Sequence, residues 1–237
     1  MPATVLEIRR YPVKSMGGEA LDRVDLDARG LVGDRAYAVV DGDGRFAAGK
    51  DSRRFRRRDE VFRYGAVTAS DGTVRVGRED ARRSDRWAAG DAALDEELSG
   101  RFGDPVQVLL ENGTSHFDAR SVSLVGTATL AWCARELGVD ADRRRLRTNL
   151  IVETAEPFEE EGWVDHEVAI GPVGRSVRLA VVERVERCRT IDLAQDGVPT
   201  RTPWLKALGG ARELCVAVYA DVVAPGSIAV GDTVAVR

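Results

Sequence analysis

Apolar and polar residues alternate in short runs along most of this chain, and the runs are broken by Gly and Asp. A period of two cut by turn residues predicts β-strands joined by tight turns. "TVLEIRRYPV" starts a strand, and Pro12 marks its end or a bulge, because proline has no N–H for a ladder. The clearest hairpin is "AYAVVDGDGRFAAGK": a strand over Ala36–Val40, a turn at "DGDG" and a return strand. "YGAVTASDGTVRVG" repeats the design with "SDG" at the turn, and "PVQVLLE" is another apolar strand. "NLIVE", "VRLAVVERVERC", "CVAVYADVV" and "IAVGDTVAVR" predict at least four more in the C-terminal half.

Helix signals are fewer. In "GTATLAWCARELG" Thr127 can cap, Leu130, Ala131, Ala134 and Leu137 form a stripe, and Gly138 can terminate. "GDAALDEELSGRFG" predicts a shorter helix capped by Asp91; "PWLKALGG" predicts a third, with Pro203 near its first turn and Gly209 at its end. Many strands with a few peripheral helices predict a mainly β protein of barrel type, not a parallel α/β sheet. A boundary between residues 105 and 120 divides it into two closely packed β-rich domains, 1–107 and 108–237, although no Pro/Ser linker marks the place.

Composition narrows the function classes. The 237 residues are 43% hydrophobic and 31% charged, which fits a folded chain with a real core. A net charge of −4 argues against general attraction to nucleic acid or anionic lipid. The N-terminus lacks the apolar core of a signal peptide, and no run is long enough to span a bilayer, so a cytoplasmic protein is expected. Cys133, Cys188 and Cys215 are odd in number, widely spaced and free of C-x-x-C pairs, which argues against a disulfide framework and against structural zinc or iron–sulfur sites. His116 and His166 are too few for a multi-histidine metal site, and a structural or surface role suits both. Neither a phosphate loop nor a G-x-G-x-x-G turn is present.

Cys133 on the helix stripe and Cys215 in a strand run read as small buried hydrophobes. Cys188 differs, because it sits between Arg187 and Arg189 where a strand gives way to polar sequence. Nearby cations favour a reactive thiolate. In an extended chain, however, both arginines face away from the sulfur, so any cation beside it must come from elsewhere in the fold. Filler, reactive sulfur and ligand all stay open on these grounds. The runs "RRFRRRDEVFRY" (53–64) and "DRRRLRTN" (142–149) concentrate arginine in an acidic chain. Each is either solvated surface paired with Asp and Glu, or an anion pocket, because guanidinium matches phosphate oxygens in pairs. Phe55, Phe62 and Tyr64 in the first run hint at nucleic-acid binding, against which the net charge speaks.

"YPVKSMGGEAL", "GLVGDRAYAVVDGDGRF" and "GKDSRRF" together resemble the N-terminal β-barrel domain that precedes MOSC domains. "LRTNLIVE", "ERCRTID", the Pro-Trp-Leu segment and "PGSIAVGDTV" resemble the MOSC domain itself, named for the C-terminal domain of molybdenum cofactor sulfurases, and the match runs in order over essentially the whole chain. In relatives such as the amidoxime-reducing component these domains hold a molybdenum–molybdopterin cofactor with one cysteine on the metal. The resemblance implies that role for Cys188. It implies pterin and phosphate contacts for Lys14, Ser15, Arg35, Arg147 and Asn149, and a place near the metal for Asp118. The chain departs from the amidoxime reductases in its compressed "RCRTID" and in Ala119 and Arg120 beside Asp118. Neither an iron–sulfur domain nor a pyridoxal-phosphate desulfurase domain is recognised, so electrons or sulfur are expected from a separate protein.

Three functions are compatible with this. In the first, the protein is a small molybdoenzyme that reduces N-hydroxylated or S-oxygenated small molecules by oxygen-atom transfer, with electrons from a ferredoxin or flavoprotein. The second is a sulfur carrier with a persulfide on Cys188, which serves cofactor sulfuration or metal–sulfur cluster assembly. A module that binds the cofactor without chemistry is the third.

Overall fold

Seven strands close into a barrel. The computed structural model describes residues 3–79, 86–199 and 203–237. Around the barrel the order is Ala3–Arg10, Leu150–Val152, Val122–Gly126, Cys215–Ala224, Val177–Glu186, Glu167–Ile170 and Thr233–Val236, which pairs back onto Ala3–Arg10. Val122–Gly126 and Leu150–Val152 run parallel, and the other neighbours run antiparallel. The first strand of the chain thus closes a barrel whose other six members lie beyond residue 120. Closure leaves no free edge, which removes a site for aggregation.

Inside the barrel, Val5, Ile8, Leu124, Val168, Leu179 and Val218 belong to one apolar cluster. The run "VSLVG" of Val122–Gly126 is buried at every position. Its inward Leu124 joins the barrel core, while Val125 joins an outer cluster with Cys133, Trp204 and Leu208 of two covering helices. A strand covered on both faces reads as a continuous apolar run. Trp204 is fully buried, and its Nε1 donates to Asp140 O at 2.9 Å.

Ahead of the barrel, two smaller sheets hold the predicted hairpins. Tyr37–Asp41 pairs with Phe46–Ala48, and Tyr64–Thr68 with Val74–Arg78. The "PVQVLLE" run forms Val106–Leu110 beside Tyr37–Asp41. Phe62, Tyr64, Leu94, Leu98 and Val108 give this half its own core.

Three α-helices occur among the described residues: α1 (Ala92–Phe102), α2 (Thr127–Leu137) and α3 (Trp204–Ala211). Gly103 and Gly138 end the first two in the left-handed conformation, with φ of 67° and 64°, where glycine meets no Cβ penalty. Local capping differs from expectation. Gly126, not Thr127, occupies the N-cap of α2; Thr127 Oγ1 instead accepts from the Thr154 N–H at 3.2 Å. The buried face of α2 carries Thr129 and Cys133, while Ala131 and Ala134 of the expected stripe are exposed. Packing on the barrel selects the face here. Asp91 precedes α1 but accepts from Ala88 N–H (3.2 Å), outside the helix, and α3 runs past Gly209 to Ala211. "IAVGDTVAVR" forms two strands, not one: Gly226–Ala229 pairs with Arg23–Asp27, and Thr233–Val236 enters the barrel after a turn at Gly231 with φ of 91°. No helix among the described residues is long and apolar enough to cross a membrane.

Candidate cofactor site

Where the N-terminal half meets the barrel, loops from both line a cavity of about 320 Å³. Seven lysine and arginine side chains line it against three carboxylates, in a chain whose net charge is −4. Cys188, Asp118, Lys14, Ser15, Arg35 and Arg147 all contribute to this lining. Asn149 does not.

The backbone is held in unusual shapes at these points. Ser15, Arg35 and Arg147 have φ of 69°, 48° and 53°, in the left-handed region that non-glycine residues avoid. Each such residue costs on the order of 1–3 kcal/mol. Glycine would relieve that cost but would remove the side chain, so the strain accompanies three polar groups aimed at one place. Ser15 Oγ donates to Ala47 O at 2.9 Å, which fixes the loop that carries it.

Lys14 is buried, and its Nζ donates to His116 O (2.7 Å) and to Asp118 Oδ1 (2.8 Å). A lysine has three N–H donors, so one remains for a ligand. Burial lowers the Lys14 pKa more than Asp118 raises it. Surrounding protein would raise the Asp118 carboxyl, but Lys14, with Lys50 and Arg35 farther off, outweighs this and holds it below its usual range. Asp118 is therefore an ionised acceptor that is open to solvent on one side.

Arg35 pairs with the fully buried Asp34, and its Nη2 donates to Arg147 O at 3.2 Å. Burial acts to lower the Arg35 pKa, yet Asp34 raises it overall. Asp34 in turn accepts from Tyr11 N–H (2.7 Å) and from Asn149 Nδ2 (3.1 Å). Asn149 Oδ1 accepts from Ser123 N–H and Oγ, both at 3.1 Å. Asn149 thus stands one step behind the cavity, where it holds the carboxylate that holds Arg35.

Arg147 Nη2 donates to Met16 O at 2.8 Å and its guanidinium lies 4.5 Å from the centre of the Tyr11 ring. Arg187, which sequence alone sets facing away from Cys188, lines the same cavity because the strand has already ended at Glu186. Its Nε and Nη1 donate to Val216 O (3.0 Å) and Leu146 O (2.7 Å). Arg147 Nη1 and Arg187 Nη2 are buried and find no hydrogen-bond acceptor among the described residues. Burial lowers the pKa of both arginines, as expected where carbonyls satisfy N–H groups without neutralising charge. An anion in the cavity would supply what both lack. The position of Arg187 immediately before the cysteine was visible in the sequence, but its direction was not.

Cys188 is exposed on this lining, and its S–H donates to Thr190 Oγ1 at 3.4 Å. Cys133 and Cys215 are buried, and burial pushes the Cys133 thiol up to about 12. Arg120 is occupied by Glu183 (3.2 Å) and Asp221 (3.1 Å). His116 is buried with Nδ1 3.1 Å from Arg35 O, and His166 is exposed beside Val164 O. Among the described residues no three or more His, Cys, Asp or Glu side chains gather as a metal site.

A seven-stranded barrel thus carries, on one cavity, an excess of cationic side chains and an exposed thiol. The family model of the MOSC domain matches residues 102–235, and that of the MOSC N-terminal beta barrel domain matches residues 2–84. The chain belongs to the MOSC family, which is associated with the molybdenum cofactor. Among solved structures it is similar to the YUAD protein from Bacillus subtilis, at 15% identity and a TM-score of 0.55, over all of this chain and 96% of that one. That likeness shows a shared fold. A hypothetical protein matches at 11% identity and a TM-score of 0.46, over all of this chain and 67% of that one. YiiM from Geobacillus stearothermophilus matches at 11% and 0.37, over 70% and 73%. No curated protein matches the chain significantly.

The residues present fit such a cofactor. A phosphate-bearing pterin needs guanidinium and ammonium donors with unspent N–H groups, and Arg147, Arg187 and Lys14 have them. Molybdenum accepts a soft sulfur ligand, which Cys188 offers.

Proposed function

We propose that this protein is a small molybdenum-dependent oxidoreductase that reduces N-hydroxylated or S-oxygenated small molecules. The observation that supports it is the pairing, on one cavity, of an exposed thiol with two buried guanidinium N–H groups that lack acceptors. When bound, the molybdenum cofactor would supply two-electron chemistry coupled to oxygen-atom transfer. Arg147, Arg187 and the free proton of Lys14 hold the phosphate end, and Arg35 braces the Arg147 backbone from below. Cys188 would hold the metal through its sulfur. Asp118, kept ionised by Lys14, is placed to accept a hydrogen bond from a solvent water or a substrate N–H or O–H, and so to orient the water that delivers the protons the reduction consumes. Electrons arrive from a separate ferredoxin or flavoprotein in the cytoplasm.

Protein purified from a molybdenum-competent host is expected to contain near-stoichiometric molybdenum and releasable pterin. Cys188→Ser is expected to keep the pterin and lose reduction of an N-hydroxylated test substrate. Absence of pterin from the wild-type protein would overturn the proposal. Metal-free protein whose Cys188 yields thiocyanate with cyanide would point to the sulfur carrier instead.

A further inference from the structure

Cys188 lies in a segment that has left the barrel at Glu186 and belongs to no strand. Its shape therefore depends on fixings from outside. Arg189, the next residue, donates to both carboxylate oxygens of Asp59 at 2.8 and 2.6 Å, and to Gly49 O at 3.1 Å. Thr190 packs against the same glycine so closely that a Cβ there would stand 2.6 Å from Oγ1. That hydroxyl also accepts the Cys188 S–H. Behind the segment, the buried Arg145 donates to Leu193 O (3.3 Å) and to Pro199 O, and Gln195 Nε2 donates to Thr190 O (2.6 Å). Asp59 and Gly49 are 130 and 140 residues away from Arg189, on the N-terminal half.

The geometry points to Asp59 and Arg189 as positioning residues for Cys188. Their two-point ion pair, with the Thr190–Gly49 contact beside it, anchors the thiol of the barrel half to the N-terminal half at the cavity. A guanidinium fork on a carboxylate fixes orientation as well as distance, which a lysine cannot do. Both side chains are about a third exposed, so the pair contributes little to stability and its effect is on the placement of one loop. The inference rests on reading Cys188 as the working sulfur, but it can be tested on the thiol alone.

The measurement is the rate of iodoacetamide alkylation of the folded, full-length chain, with the modified cysteine assigned by mass spectrometry. Cys133 and Cys215 are buried, so Cys188 carries the signal. Asp59→Asn is expected to raise the Cys188 rate about fivefold, the opening that loss of one good ion pair permits, with Cys133 still unmodified. Arg189→Lys, which keeps the charge but not the fork, is expected to raise it as well. Asp59→Glu, which keeps a carboxylate for the Arg189 fork, is expected to hold the rate near that of the wild type. An unchanged rate in Asp59→Asn overturns the inference, and so does a rise that Cys133 shares, which would mean general loosening. Pterin analysis of the wild type decides the oxidoreductase proposal separately, since the alkylation rate does not depend on it.

Discussion

The two arginine runs, 53–58 and 143–147, look alike in composition and end in different physical situations. In the outer run, Arg57 meets Asp59 at 3.1 Å, Arg58 meets Asp104, and Arg56 lies 3.5 Å from both Asp41 and Asp43. Carboxylates neutralise these three cations, while Arg54 donates to Ser115 O (2.8 Å) and Phe117 O (3.3 Å). The inner run begins the same way, with Arg143 on Glu7 and Arg144 on Asp142. It then turns inward. Arg145 is buried and spends its N–H groups mainly on the carbonyls of Leu193 and Pro199, with Asp140 at 3.6 Å. Arg147, which lines the cavity, spends one on Met16 O and leaves its buried Nη1 without an acceptor among the described residues. A carbonyl completes a hydrogen bond but carries no net charge. The buried Arg147 therefore keeps its charge for an anion, and Arg56, Arg57 and Arg58 do not.

The largest consequence is expected at Arg145. Arg145→Met leaves buried carbonyls without donors, and each such group costs about 1–3 kcal/mol. A loss of about 3–4 kcal/mol, or about 10 °C in melting temperature, is expected in calorimetry. A change within the range of a surface mutation would erase the distinction between the runs. Next comes Arg147→Gln, which removes one of the seven cationic side chains on the cavity. Affinity for the proposed pterin phosphate is expected to fall by at least about tenfold, because a charge-assisted bond is worth about 1.5–3 kcal/mol. The same change at Arg58 is expected to leave affinity unaltered; equal losses would mean that charge matters only in bulk.

The smallest effect is a pH dependence in the outer run. Hydrogen bonding from Arg189, opposed by burial and helped by Arg57, holds the Asp59 carboxyl at about 2, below its ordinary 3.8. A depressed carboxylate stabilises the fold above its unfolded pKa and ceases to do so as pH falls through the folded one. The gap between wild type and Asp59→Asn is thus expected to be full above about pH 4 and to close toward pH 2. Solvent exposure limits it to less than about 1 kcal/mol. Urea titrations at pH 7, 4 and 2.5 measure it, and a gap that widens in acid would contradict the assignment.

Hairpins were legible because their information is local. "AYAVVDGDGRF" and "YGAVTASDGTV" each contain two alternating runs and the turn between them, and each pairs with itself. Barrel closure was not legible in the same way. Ala3–Arg10 pairs with Leu150–Val152 and with Thr233–Val236, and nothing near the first strand names those partners. The same limit applies to α2, where propensity placed the helix but the barrel chose Thr129 and Cys133 as its buried face. At the site, residue types and motif order brought Lys14, Ser15, Arg35, Arg147 and Cys188 into consideration together. They did not show that Asn149 acts from behind, nor that Arg187 lines the same cavity as Cys188.

By itself the amino-acid order determined the strand-and-turn character of this protein, its family, and the cysteine that stands apart from the other two. Those follow from period, turn residues and motifs, which act over a few positions. Only the tertiary structure decided which cations remain unneutralised and where the sulfur points. Those outcomes depend on whether a guanidinium meets a carboxylate or a carbonyl, and that is settled by segments more than a hundred residues apart.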